Sequence, residues 1–188
     1  MMRGLPLNAL VRTVVMAASA VVLSPATTAH ARAAPPSLAA EVKAAYLDKL
    51  GEFVQWPPAA FSGPDDPARL CIAGDDPFGV MLDQAVQGQR IGSHPIAVIR
   101  LDKIEKNTVC HVLFAAGSKS QSAAEVLDKV RGSPVLTVTD GAGGAARGIV
   151  NFVLVANRVR FQIDEPAAAQ SGLMISSKLL SLALKPEG

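Results

Sequence analysis

The chain has 188 residues, with 18 Lys and Arg against 16 Asp and Glu and a formal net charge of +2. No Lys/Arg stripe interleaved with aromatics occurs, so the charge gives no support to nucleic-acid binding. No segment reaches the roughly 20 apolar residues that span a bilayer, which argues against an integral membrane protein.

The first residues read as a secretory leader. Arg3 and Arg12 form a positive start without an acid, and Thr13 to Leu23 is apolar or small. "AHA" at 29–31 and "ARA" at 31–33 both fit small-x-small cleavage sites. Cleavage between Ala31 and Ala33 predicts a signal peptide over 1–33 and a soluble, exported domain over 34–188. Removing Arg3, Arg12 and Arg32 takes away three of the 18 bases and none of the 16 acids, leaving a net charge of −1. About 155 residues suit one domain with a real core.

The mature part opens on an amphipathic helix. Ser37 is placed to cap it. Val42, Tyr46, Leu50 and Phe53 fall on one face and Glu41, Asp48, Glu52 and Gln55 on the other, until Pro57-Pro58 stops it. An alternation follows: strand "RLCIAG", helix "FGVMLDQAVQG" opened by Pro77, strand "HPIAVIRL", strand "CHVLFAAG", helix "SQSAAEVLDKVRG", strand "PVLTVTD". Short apolar runs ended by Gly or Asp predict strands covered on both faces, as in a mostly parallel α/β sheet flanked by helices. "GIVNFVLVANRVRFQI" then reads as a C-terminal antiparallel hairpin turning at "AN", with "VRFQI" alternating as an edge strand does. Two short helices close the chain.

Cys71 lies in the first strand of the alternation and Cys110 opens the third. In a sheet ordered 2-1-3-4 those strands are neighbours, with corresponding positions about 5 Å apart. In an exported protein this predicts a Cys71–Cys110 disulfide, with two buried free thiols as the alternative. Cys110 and His111 are adjacent, and adjacent strand residues point to opposite faces, which argues against a metal site or a Cys–His nucleophile. There is no G-x-S-x-G elbow. The acid pairs at 65–66 and 75–76 read as solvated or capping. The glycine-rich stretch from Gly141 to Gly148 leads into a strand instead of a helix, and reads as a connection, not a phosphate cradle. No catalytic constellation, metal site or cofactor is predicted from the residues.

Four stretches carry a resemblance: "KAAYLDKLGEFVQWPPAAF", "LCIAGDDPFG", "CHVLFAAGS" and "GIVNFVLVANRVRFQIDEPAAAQSGLMISSKLLSLA". Together they make the chain similar to the YfiR family (DUF4154), over roughly Val42 to Ala183. Arg147 to Phe152 lacks the Met usual in that family's run, and Leu50 stands where an aromatic is usual. Cys71 and Cys110 match the family's cysteine pair. The resemblance implies a periplasmic regulator, not an enzyme. Its implied partner is the periplasmic domain of an inner-membrane diguanylate cyclase, which it would repress by occlusion, lowering cyclic di-GMP signalling and biofilm formation. An outer-membrane lipoprotein is the candidate for releasing that repression, and a homodimer the candidate assembly. Trp56, Ser176, Ser177 and Lys178 are the candidate partner-binding residues. Lys178 is the most pointed of them, because a cation in a helix's first turn opposes the helix dipole. The rival reading is a small-ligand sensor, with its pocket at the strands' carboxyl ends near Gly74–Asp76 and Gly117–Ser118.

Overall fold

A computed structural model describes residues 37–141 and 146–185. The predicted leader lies outside the described residues, as do positions 142–145 of the glycine-rich stretch.

Helix α1 (Leu38–Leu50) starts where Ser37 caps it, its side chain accepting from the Ala40 N–H. The helix is shorter than its apolar pattern suggests. Gly51–Phe53 tightens to a 3-10 turn and Val54–Gln55 is a strand, β1, before the prolines arrive. After a second 3-10 turn at Pro58–Ala60, the remaining elements are β2 (Ala68–Gly74), α2 (Val80–Val86), β3 (Arg90–Ile91), β4 (His94–Leu101), β5 (Val112–Gly117), α3 (Ala123–Lys129), β6 (Leu136–Asp140), β7 (Val150–Val155), β8 (Arg158–Ile163), α4 (Glu165–Gln170), β9 (Met174–Ile175) and α5 (Ser177–Leu182).

Seven strands form one sheet in the order β3-β4-β2-β5-β6-β7-β8. β4, β2, β5, β6 and β7 run parallel, and the predicted 2-1-3-4 order holds for β4-β2-β5-β6. β8 returns antiparallel to β7 through Ala156–Asn157, both with positive φ, as a two-residue hairpin turn demands. The fold is therefore the expected α/β domain. β1 and β9 pair separately and antiparallel, tying the end of α1 to the start of α5.

The larger core lies on one face of the sheet. There Ala44 and Leu47 of α1, Phe78 and Leu82 around α2 and Leu179 of α5 pack on Leu70, Ile72, Phe114, Val138 and Phe152. The second face is covered at β2 and β5 by α3, through Val126 and Val130. Pro77 does not open α2. Asp76 instead accepts from the Phe78 N–H in a turn, and the helix begins after Gly79, whose φ is +53°. α3 carries the full capping box, Ser122 and Glu125 each bonding the other's backbone N–H. The Ser122 backbone N–H first, and then the Ser122 hydroxyl, both donate to the Glu125 carboxylate and hold its pKa below the usual range.

Candidate functional site

α1 presents two apolar stripes, not one. Ala40, Ala44 and Leu47 enter the core, whereas Val42, Ala45 and Tyr46 turn aside toward α5. With Leu50, Phe53, Phe161 of β8, and Leu179 and Leu182 of α5, they line an open apolar groove of about 330 Å³. The Tyr46 ring lies edge-on to Phe161 at 5.5 Å, joining the α1 wall to the sheet. Val42 and Leu182 are 37% and 57% exposed, so the walls offer apolar surface to solvent. Among the described residues that line the groove, Lys49 is the one that is charged. Its ammonium bonds Glu52 at 3.0 Å and pairs with Asp48 at 3.1 Å, and these carboxylates, Glu52 first, raise its pKa. The single face read from the α1 pattern is thereby corrected. Asp48, expected outside, is 5% exposed, and Val42, expected inside, stands at the groove.

The four residues singled out for partner binding divide into two groups. Ser176 caps α5, its Oγ accepting from the Leu179 N–H at 3.3 Å, and its own N–H donates to the Phe53 carbonyl at 2.9 Å. Ser177 and Lys178 are exposed on the first turn. The Lys178 ammonium lies 5.6 Å from the centre of the Phe53 ring, a cation–π contact that gives a physical reason for a cation at this helix start. These three therefore stand beside the groove, joined to it through Phe53. Trp56 does not join them. It is not among the groove's lining residues and packs edge-on to Phe61 at 6.3 Å, its indole N–H buried without a hydrogen-bond partner among the described residues.

Cys71 and Cys110 form a disulfide with Cα atoms 5.9 Å apart, both nearly fully buried. The pairing is the expected one, but the geometry is not a level cross-strand link. The register partner of Cys71 on β5 is Leu113, and Cys110 lies two residues before β5, in the irregular segment that leads into it. His111 follows it and faces the opposite way, as alternation requires. Its ring stacks on Phe61 at 4.1 Å, and His94 stacks on the other face of Phe61 at 3.8 Å. Among the described residues, no group of three or more His, Cys, Asp or Glu is placed to hold a metal ion.

A family model described as YfiR/HmsC-like matches residues 40–184. The chain belongs to the YfiR/HmsC-like family. No curated protein matches it. The family is one of periplasmic regulators of diguanylate cyclase signalling, regulatory and not catalytic. The matched span runs from Ala40 on α1 to Leu184, just past α5, so every wall of the groove lies inside the YfiR/HmsC-like region.

Within that region the carboxyl ends of the strands offer a different kind of surface. Gly74, at φ +98°, lies against Gly117, and the Asp75 N–H donates to the Gly117 carbonyl at 2.9 Å. The backbones meet where the small-ligand reading placed its pocket. Two open crevices flank the contact. One of about 320 Å³ is bounded by Asp75, Phe114 and Thr139, and one of about 630 Å³ by Asp75, Asp102, Lys103 and Lys119. Both signs of charge line the larger crevice, and the groove is the more apolar site.

Reading the sequence missed Val42, Ala45, Phe161 and Leu182 as site residues. The available signal was that α1 carries more apolar positions than one helix face can bury. "LLSLAL" likewise has an apolar residue, Leu182, left over once Leu179 is inside.

Proposed function

We propose that the chain is exported, matures to residues 34–188, and binds the periplasmic domain of an inner-membrane diguanylate cyclase, holding it inactive. The observation that carries this reading is the groove between α1 and α5. It is walled by exposed apolar side chains and bordered by Ser177 and Lys178, which suits a protein segment better than a polar metabolite. The apolar side chains of a partner segment would fill the groove, with a carboxylate of that segment meeting Lys178. Occlusion of the cyclase's periplasmic domain represses it, and capture of this chain by an outer-membrane lipoprotein releases it.

The test is affinity between the purified chain and the cyclase's periplasmic domain. Leu182→Glu and Val42→Asp should each weaken binding by about tenfold or more, with a melting temperature close to that of the parent. Deleting the gene should raise cellular cyclic di-GMP. A chain that does not bind the cyclase domain, or a deletion that leaves cyclic di-GMP unchanged, overturns the reading. A small molecule that copurifies in native mass spectrometry would favour the ligand-sensor reading at the strand ends.

A further inference from the structure

β8 closes one side of the seven-stranded sheet, and its outer edge is only half covered. The two-residue turn at Ala156–Asn157 determines which backbone groups face outward. In such a hairpin the flanking pair Val155–Arg158 exchanges both hydrogen bonds, and so does every second pair after it. The N–H and C=O groups of Val159, Phe161 and Ile163 therefore point away from β7. The chain's own tail occupies the lower part: the Leu184 N–H donates to the Phe161 carbonyl at 2.8 Å, in a parallel bridge beside Gln162. Among the described residues no strand reaches Val159.

The side chains along this edge carry one sign of charge. Val159, Phe161 and Ile163 turn toward α1, so Arg158, Arg160 and Gln162 alternate onto the opposite face. Arg147 joins them, its guanidinium donating to Gln162 Oε1 at 3.4 Å. Among the described residues no acid stands within β6, β7 or β8 on that face: Val155, Val153 and Asn151 of β7 lie directly beside Arg158, Arg160 and Gln162, with Thr137 and Thr139 of β6 beyond them. The nearest acid along the strand, Asp164 just past β8, lies by Arg147 and Gln162 at the far end from Arg158. Neither Arg158 nor Arg160 makes an ion pair among the described residues. A second copy of the chain is a poor occupant. Antiparallel pairing of two such edges about Val159 sets Arg158 against the copy's Arg160, and like charges directly opposite destabilise a sheet.

We propose that the outer edge of β8 around Val159 is a strand-addition site for an extended partner segment that carries acidic side chains at alternate positions. Backbone pairing fills the free groups of Val159. Acids on every second residue repeat at roughly 6.7 Å, the same interval that separates Arg158 from Arg160. The inference deepens the repressor reading and rests on it for the identity of the partner, since Phe161 belongs both to this edge and to the apolar groove.

The probe is a blocked synthetic peptide of about nine alternating glutamates and valines, measured by NMR titration of the full mature chain. Binding should shift and protect the Val159 amide, and weaken at least about tenfold in Arg158→Gln/Arg160→Gln. It should also weaken as salt rises from about 0.05 to about 0.3 M. A peptide N-methylated at alternate residues, which keeps its charge and loses its strand edge, should fail to bind. Binding that survives N-methylation, binding unaffected by the double variant, or no binding at all overturns the proposal. So does equal arginine-dependent binding to vesicles of anionic phospholipid, which would make the patch a membrane contact. Affinity for the cyclase domain separates the two readings. Loss in Leu182→Glu with no loss in Arg158→Gln/Arg160→Gln leaves the repressor standing and overturns the edge site. No affinity in the parent chain overturns the repressor reading, while the peptide still decides the edge.

Discussion

The Nδ1 atom of His111 accepts a hydrogen bond from the Arg69 backbone N–H at 2.9 Å. Its other ring nitrogen, Nε2, lies 3.0 Å from the Ala60 carbonyl, which can only accept. The two bonds together specify the neutral ring with the proton on Nε2. Protonating Nδ1 would remove the acceptor for a strand N–H and place a charge in a buried stack.

Folding stability should therefore fall in mild acid. Burial first, then the nearby Arg69 and His94, lower the His111 pKa, against upward pulls from the Ala60 carbonyl and Asp66. Its folded pKa thus lies below the unfolded value of about 6.5. The stabilisation is complete above that value. It is lost as pH drops through the interval between the two pKa values, because the unfolded chain binds the proton more readily. Urea unfolding between about pH 8 and pH 5 should show the decline, and His111→Gln should flatten it while costing about 1–3 kcal/mol at neutral pH. A parent protein equally stable across that range would contradict the assignment.

The disulfide should act as a staple, not as a switch at the docking surface. Cys71 and Cys110 are buried on the α3 face, and the groove lies on the other face of the sheet. Thiol titration of the denatured, unreduced protein should find no free thiol. Cys71→Ser should lower stability by up to about 4 kcal/mol and leave Cys110 able to cross-link chains. Reduction should be slow, since exchange needs access for an attacking thiolate. Affinity for the cyclase domain should be similar for oxidised and reduced protein below both melting temperatures. A tenfold loss on reduction, with an unchanged circular dichroism spectrum, would show a regulatory bond.

Gly74 should tolerate no side chain. A Cβ there would lie 2.2 Å from the Gly117 carbonyl oxygen, and the backbone φ of +98° is itself unfavourable for other residues. Gly74→Ala should cost about 3 kcal/mol or more in chemical denaturation. Gly63→Ala, where a Cβ meets nothing within 4 Å, should change stability by less than about 0.5 kcal/mol.

Lys43 of α1 pairs with Asp140 at the end of β6, N to O 2.5 Å. The lysine side chain is 9% exposed and the aspartate 31%. Asp140→Asn would leave the ammonium buried without its carboxylate, at a cost of about 1–3 kcal/mol once the partial exposure of Asp140 is allowed for. Lys43→Met, which removes the buried charge altogether, should cost less. The reverse order in urea denaturation would show that the pair is not what holds α1 over β6.

Local pattern was enough for much of this protein. "HPIAVIRL" and the hairpin around Ala156–Asn157 were legible residue by residue, because strand period and turn chemistry act over a few neighbours. The 2-1-3-4 order and the Cys71–Cys110 pair followed from topology rules that need only the sequence of elements. What escaped was whatever depends on residues far apart in the chain. The β1–β9 pair has two residues on each side, too short for any periodic signal, and forms only because Val54 and Ile175 meet across the fold. Asp48 is buried and Val42 exposed because α2 packs along α1 while the side toward α5 is left open as the groove. The groove is assembled from α1, β8 and α5, elements more than a hundred residues apart at its extremes. Helical periodicity tells which residues share a face. Only the packing of other elements around that face decides which part of it becomes core and which is left for a partner.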